Sequence, residues 1–171
     1  MTRRLLILSL CIVLTLAAQA KKETQDFVTQ YLAELQTAGV SEQDYTCATI
    51  GPQMMERVLQ MVKDKTLEDN DQIRDALTHV RSIRVFAAID NTAQFNQTCR
   101  RLLERQARYF KPVKSEAQQG NTSSLWVRES KKQIVELVLV AAENETNGER
   151  FTIINLTGDF DSEFIDELLK M

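Results

Sequence analysis

One histidine, two cysteines in the body of the chain and a run of acids near its C-terminus are the residues best suited to chemistry. His79 could serve as a general base and, outside the cytoplasm, respond to pH near neutrality. It lies beside the Ile73, Leu77, Val80 stripe of a predicted helix. No serine or cysteine motif calls for it, so an exposed helix histidine is the expectation. Asp159, Asp161 and Glu163 place three carboxylates on a short segment, which is what a hard cation such as Ca²⁺ needs. An EF-hand loop beginning at Asp159 would require glycine and glutamate where the chain has Phe164 and Lys170. Acids at a helix start are expected from the helix dipole alone. Ser123 and Ser124 lack the glycine frame of a nucleophile elbow, and the five glycines are scattered at turns and form no phosphate loop. No residue is therefore assigned to catalysis, to a cofactor or to a metal.

Cys47 and Cys99 leave two readings open. A bridge between them would close a long loop and stabilise the fold by on the order of 4 kcal/mol in the chain-entropy model. Equally, Cys99 falls on an apolar helix stripe with Phe95, Leu102 and Leu103, and Cys47 sits in a predicted strand, so both fit as buried free thiols.

The compartment that would permit such a bridge is implied by the first twenty residues. Arg3 and Arg4, an apolar run from Leu5 to Leu16 and the small-residue exit Ala18-Gln19-Ala20 form an export signal, with cleavage between Ala20 and Lys21. The apolar run is too short for a membrane anchor, which takes about 18 residues or more. Cys11 follows Leu10 in mid-run and so lacks the small-residue context of a lipid-bearing cysteine. Two arginines before a very apolar core suit the general export route better than the twin-arginine route. The expectation is a signal peptide over residues 1–20 and a single domain over 21–171, periplasmic or secreted.

Of the 171 residues, 151 remain after residue 20, enough for one domain with a proper core. Losing Arg3 and Arg4 leaves 19 of 21 basic residues against 24 acidic ones, a net charge of about −5. That balance argues against nucleic acid or anionic lipid as partner, since both demand clustered Lys and Arg. The one basic group, Arg100, Arg101, Arg105 and Arg108, is interrupted by Glu104 and reads as a solvated helix face.

The elements that must position these residues follow from periodicity. Phe27, Tyr31, Leu32 and Leu35 predict an amphipathic helix over 23–38, ended by Gly39. Residues 45–50 are β-branched and aromatic and stop at Gly51-Pro52, a strand feeding a helix start. Met54, Met55, Val58, Leu59 and Val62 recur at helical spacing until Asp64, and Ile73, Leu77 and Val80 suggest a further short helix. A strand over 82–89, a helix over 92–106 and four strands over 109–118, 124–129, 133–143 and 150–157 follow. Gly120-Asn121, Ser130-Lys131-Lys132 and Asn147-Gly148 supply turn chemistry between them. The stretch 134–142 is apolar at nearly every position and should lie centrally, covered on both faces or most of them. Asp161 is a suitable cap for a last helix, with Phe160 and Ile165 spaced as a hydrophobic staple.

Strand, helix, strand allows a right-handed parallel crossover at the start of the sheet, and the later strands extend it as hairpins. The fold class is α+β, a two-layer sandwich. It carries one mixed, mainly antiparallel sheet of about five to six strands and packs its helices on one face. Trp126 is either an exposed aromatic for protein or glycan contact or a sheet residue packed under a helix. Asn96, Asn121, Asn144 and Asn155 head glycosylation sequons that matter only in a eukaryotic secretory pathway, and Asn155 falls in a core strand.

Thr46 to Met55, Ser82-Ile83-Arg84-Val85 and Ile153 to Phe160, behind an export signal, give the chain a family likeness. It resembles the domain-of-unknown-function family 4252, exported proteins of Bacteroidota. The resemblance implies a bacterial, envelope-facing setting and carries no activity or catalytic residues with it. The expected role is a non-enzymatic binding or protein-interaction module, with another envelope protein as partner. The alternative is a small exported hydrolase or ligand carrier with a pocket between sheet and helices.

Overall fold

The computed structural model describes residues 25–64, 77–118, 121–145, 148–162 and 164–165. The expected signal segment with its Ala20-Lys21 junction, the short helix expected around Ile73 and the remainder of the expected last helix lie outside them. Helix α1 (Phe27–Thr37), a short 3₁₀ turn (Glu42–Asp44), strand β1 (Thr46–Ile50), helix α2 (Pro52–Asp64), β2 (Val80–Ala88) and helix α3 (Thr92–Arg105) come first. Strands β3 (Phe110–Gln118), β4 (Asn121–Ser130), β5 (Gln133–Glu145) and β6 (Gly148–Phe160) follow. They form one open six-stranded sheet in the order β1-β2-β6-β5-β4-β3. The α+β reading holds, and every pairing is antiparallel. β1 thus runs against β2 where a parallel crossover was allowed for.

The sheet buries both faces, in two clusters. On the first face α1 and α3 lie over Phe86, Ala88, Val138, Val140, Phe151 and Ile153. Tyr31 is central there: its ring meets Phe86 edge-on at 5.0 Å, and its hydroxyl donates to the Phe95 carbonyl at 2.9 Å. That bond ties α1 to α3 and satisfies the one polar atom of a fully buried ring. On the second face Met55 of α2, together with Phe160 and Ile165, packs over Leu125, Val127 and Leu137. Two helices therefore take the first face and α2 takes the second.

Local chemistry sets the boundaries. α1 ends where Gly39 adopts φ 74°, with Gly39 N–H donating to Gln36 O and Val40 N–H to Leu35 O, a Schellman closure in which Val40 packs back on the core. The β4–β5 hairpin turns through Lys131 and Lys132, both at positive φ (52° and 70°), the signature of a type I′ turn. β5 lies inside the sheet as its composition demands, but its alternation breaks. The pairing slips between Ile134 and Glu136 against β6, and between Arg128 and Glu129 against it on β4. The extra residue sends Ile134 to the second face with Leu137, while Glu136 points to the first with Val138.

Candidate functional site

Glu136 is the one acid in the apolar stretch of β5, and it is fully buried. A carboxylate in such a place must have every oxygen lone pair engaged. Its Oε1 accepts from the Phe27 backbone N–H at 2.6 Å and from Asn155 Nδ2 at 2.9 Å. Its Oε2 accepts from Arg128 Nε at 2.7 Å and Nη2 at 2.5 Å. Asn155, on β6 and also buried, donates its second N–H to Leu137 O at 3.1 Å and accepts from the Val28 N–H at 3.4 Å.

These contacts close the N-terminus of α1, where a helix leaves its first N–H groups without internal partners. Phe27 donates to Glu136, Val28 to Asn155, Thr29 to the Asp26 side chain at 2.9 Å, and Gln30 to Asp26 O at 3.3 Å. Only Asp26 is a local cap. The other two acceptors come from the sheet, so the helix is fastened by its dipole end to the centre of β5 and β6. Arg84 of β2 joins from the side, donating to Thr29 Oγ1 and lying 3.4 Å from Asp26 Oδ1. Four strands and one helix terminus, with groups of both charge signs, thus converge at the start of α1.

Burial pushes the Glu136 carboxyl above its ordinary range, and the Arg128 guanidinium, the Phe27 N–H and Asn155 pull it back only in part. A folded-state pKa raised above that of the unfolded chain, about 4.3, means that the folded form holds the proton over a pH span in which the unfolded form has lost it. Stability from this group is then complete below that unfolded value and declines as pH rises through the raised one. Glu136→Gln should remove this component. The difference in unfolding free energy between wild type and E136Q is expected to change in the wild type's disfavour as pH rises from acid toward neutrality, read by urea titrations at several pH values. A pH-independent difference would contradict the shift.

The residues that sequence put forward for chemistry are scattered. Asp159 pairs with Arg81 on the surface, and Asp161 accepts from the Phe164 N–H at 2.8 Å as the expected cap. Glu163 lies outside the described residues. His79 stands in the turn before β2, not on an exposed helix face. It is half-buried, its ring within 3.1 Å of Asp159 O and 6.3 Å from the Phe164 ring centroid. Among the described residues no group of three or more His, Cys, Asp or Glu is placed to hold a metal.

Cys99 is buried on α3, where desolvation pushes its thiol up to about 12. Cys47 is exposed, a correction to its reading as a core residue, because β1 is the outermost strand. Both thiols are free. Partial desolvation at the edge strand still raises the Cys47 pKa, with Arg84 opposing it. Trp126 packs half-buried against the first-face cluster, its Nε1 donating to Ser124 Oγ at 3.1 Å. Arg100, Arg101, Arg105 and Arg108 are all exposed, and Arg105 pairs with Glu34 at 2.9 Å.

The space beneath α1, where a carrier or hydrolase would need its pocket, is filled by rings. Phe27 meets Phe110 at 5.5 Å, and Tyr31 meets Phe86 and Phe151. The open surface is elsewhere. On the second face, one register row runs Ala48, Val85, Ile154, Leu139 across β1, β2, β6 and β5. Leu139 is 37% exposed, Ala48 is exposed, and Val85 and Ile154 are half-buried outside both clusters. The next position of the row, Leu125 on β4, is buried in the second cluster, so the open part of the row ends at Leu139.

Among the described residues no helix is long and apolar enough to cross a membrane. No curated protein matches the chain. Two of the solved structures with a partial likeness are of Mog1 proteins. One, a mutant of the protein Mog1, is 14% identical, with TM-score 0.31, over 53% of this chain and 56% of that one. The other, the Saccharomyces cerevisiae Ran-binding protein Mog1p, is 13% identical, with TM-score 0.29, over the same shares. The matched part spans just over half of each of those chains. The family model described as Domain of unknown function (DUF4252) matches residues 40–168. That span starts just after α1 and takes in all six strands, both buried clusters' sheet residues and the Glu136 and Asn155 fastening, so the chain belongs to the DUF4252 family.

Proposed function

We propose that the chain works outside the cytoplasm as a non-enzymatic protein-interaction module, docking another envelope protein on the open row of its second sheet face. The export pattern of residues 1–20 supports the location. The observation that carries the docking is the Ala48, Val85, Ile154, Leu139 row, an apolar strip that joins neither buried cluster of the described residues. The polar cluster is consumed internally: no buried side-chain N or O among the described residues lacks a partner, and the four acceptor sites of Glu136 are taken. It holds the scaffold that presents the row.

In-cell crosslinking followed by pull-down tests the reading. The wild type should repeatedly recover a discrete envelope protein, and Leu139→Glu, on an exposed position, should lose it while keeping the wild-type thermal midpoint. Recovery undiminished by L139E would dismiss the row as the docking site.

A further inference from the structure

The two edges of the sheet differ. β3 at one end carries Lys111, Pro112, Lys114 and Glu116 and a slip in pairing between Pro112 and Lys114. Charge, proline and a bulge are the devices that keep an edge from adding a foreign strand. β1 at the other end has none of them. Thr46-Cys47-Ala48-Thr49-Ile50 contains no charge and no proline, pairs with β2 in unbroken register, and is exposed at its first four positions.

We propose that β1 is an interaction edge whose occupant is a second copy of this chain, the two β1 strands pairing antiparallel about a two-fold axis at Ala48. Self-pairing brings each residue type against its own strand, so it is open only to a strand without like charges to confront. About Ala48, Thr46 meets Ile50 and Cys47 meets Thr49. The flanks agree with the same axis. Position 44 of one copy falls opposite position 52 of the other, which sets the exposed Glu42 and Asp44 of the 3₁₀ turn beside the start of α2. That helix has no acidic residue in its first turn, and an open groove lined by Gly51, Pro52, Gln53, Met54 and Arg57 lies there. An acidic segment beside a positive helix end and an arginine is complementary in charge. Met54, 54% exposed, supplies apolar area at the same place. A five-residue pairing with one groove per copy is small, so dissociation in the range of about 10 to 100 µM is expected.

This inference does not rest on the proposed docking row. Sedimentation equilibrium of the purified protein should show a reversible dimer. Ala48→Lys should weaken it by roughly tenfold or more while leaving the thermal midpoint unchanged, and Leu139→Glu should leave the dimer intact. In a Cys47→Ser background, Ala48→Cys should oxidise to a covalent dimer, and Ser115→Cys on the opposite edge should not. A monomer at about 1 mM, a dimer indifferent to A48K, or equal crosslinking through position 115 would overturn the proposal. So would a purified protein that stays monomeric while its native Cys47, on the face away from the docking row, forms a covalent adduct with a different protein in cells, which would assign the edge to a foreign strand.

Discussion

Glu136→Ala is expected to destabilise the fold by about 3 to 5 kcal/mol, read as a fall in urea midpoint at unchanged slope. The substitution strands the Phe27 N–H and one N–H of Asn155, and takes from the Arg128 guanidinium its buried carboxylate. Arg128 is 19% exposed at its side chain, so water relieves it only partly. The control is the paired replacement Glu136→Leu with Arg128→Leu, which removes both charges. It should recover a good part of the loss, because an apolar pair of similar volume often replaces a buried ion pair without net cost. What the pair cannot restore is the fastening of α1. Amide exchange in the first turn of α1 should therefore stay faster than wild type in the double variant. An alanine variant as stable as wild type would remove the cluster from any account of how α1 is held.

The second large effect belongs to Gly158. A Cβ there would meet the His79 carbonyl oxygen at 2.0 Å and Phe160 Cζ at 2.9 Å. The first obstacle is backbone and has nowhere to rotate. Val80 pairs with Gly158, and the adjacent Asp159 N–H donates to His79 O at 3.0 Å, so moving the carbonyl would break the entry to β2. Gly158→Ala is expected to cost about 3 kcal/mol, the upper end for overpacking. Gly51→Ala, where an added Cβ meets nothing within 4 Å, should be nearly silent on the same denaturation curve. Equal losses at the two positions would contradict the close approach as the cause, because the entropy lost by the unfolded chain on replacing glycine with alanine favours folding.

The fold was legible wherever one face of an element is buried. Phe27, Tyr31 and Leu35 marked α1, Phe95, Cys99, Leu102 and Leu103 marked α3, and the apolar run of β5 marked a central strand. Strand direction was not legible: nothing in Thr46–Ile50 or Val80–Ala88 says which way they pair, and the helix between them suits either. Val80, read into a helix stripe, opens β2, and β6 continues to Phe160 because Gly158 can sit against the preceding turn. Cys47 looked buried because a β-rich composition does not distinguish an edge from a centre. The cluster at Glu136 escaped because its partners are remote in sequence. One signal was present, a single acid within the apolar stretch 134–142, and a buried charge must have a partner somewhere.

That remoteness bears on the time course of folding. The Phe27 N–H finds its acceptor 109 residues further on, and the Val28 N–H finds its own after 127. A chain made or threaded from its N-terminus presents α1 first and the fastening of α1 nearly last. The helix must then wait, unanchored, until β5 and β6 have emerged and paired. Contacts of such separation make folding slow, and they make it depend on completion of the chain. A fragment ending before Asn155 would keep Glu136 but lose the acceptor of the Val28 N–H and the strand that joins β1-β2 to β5-β4-β3, so the last strand acts as the latch that commits the whole domain.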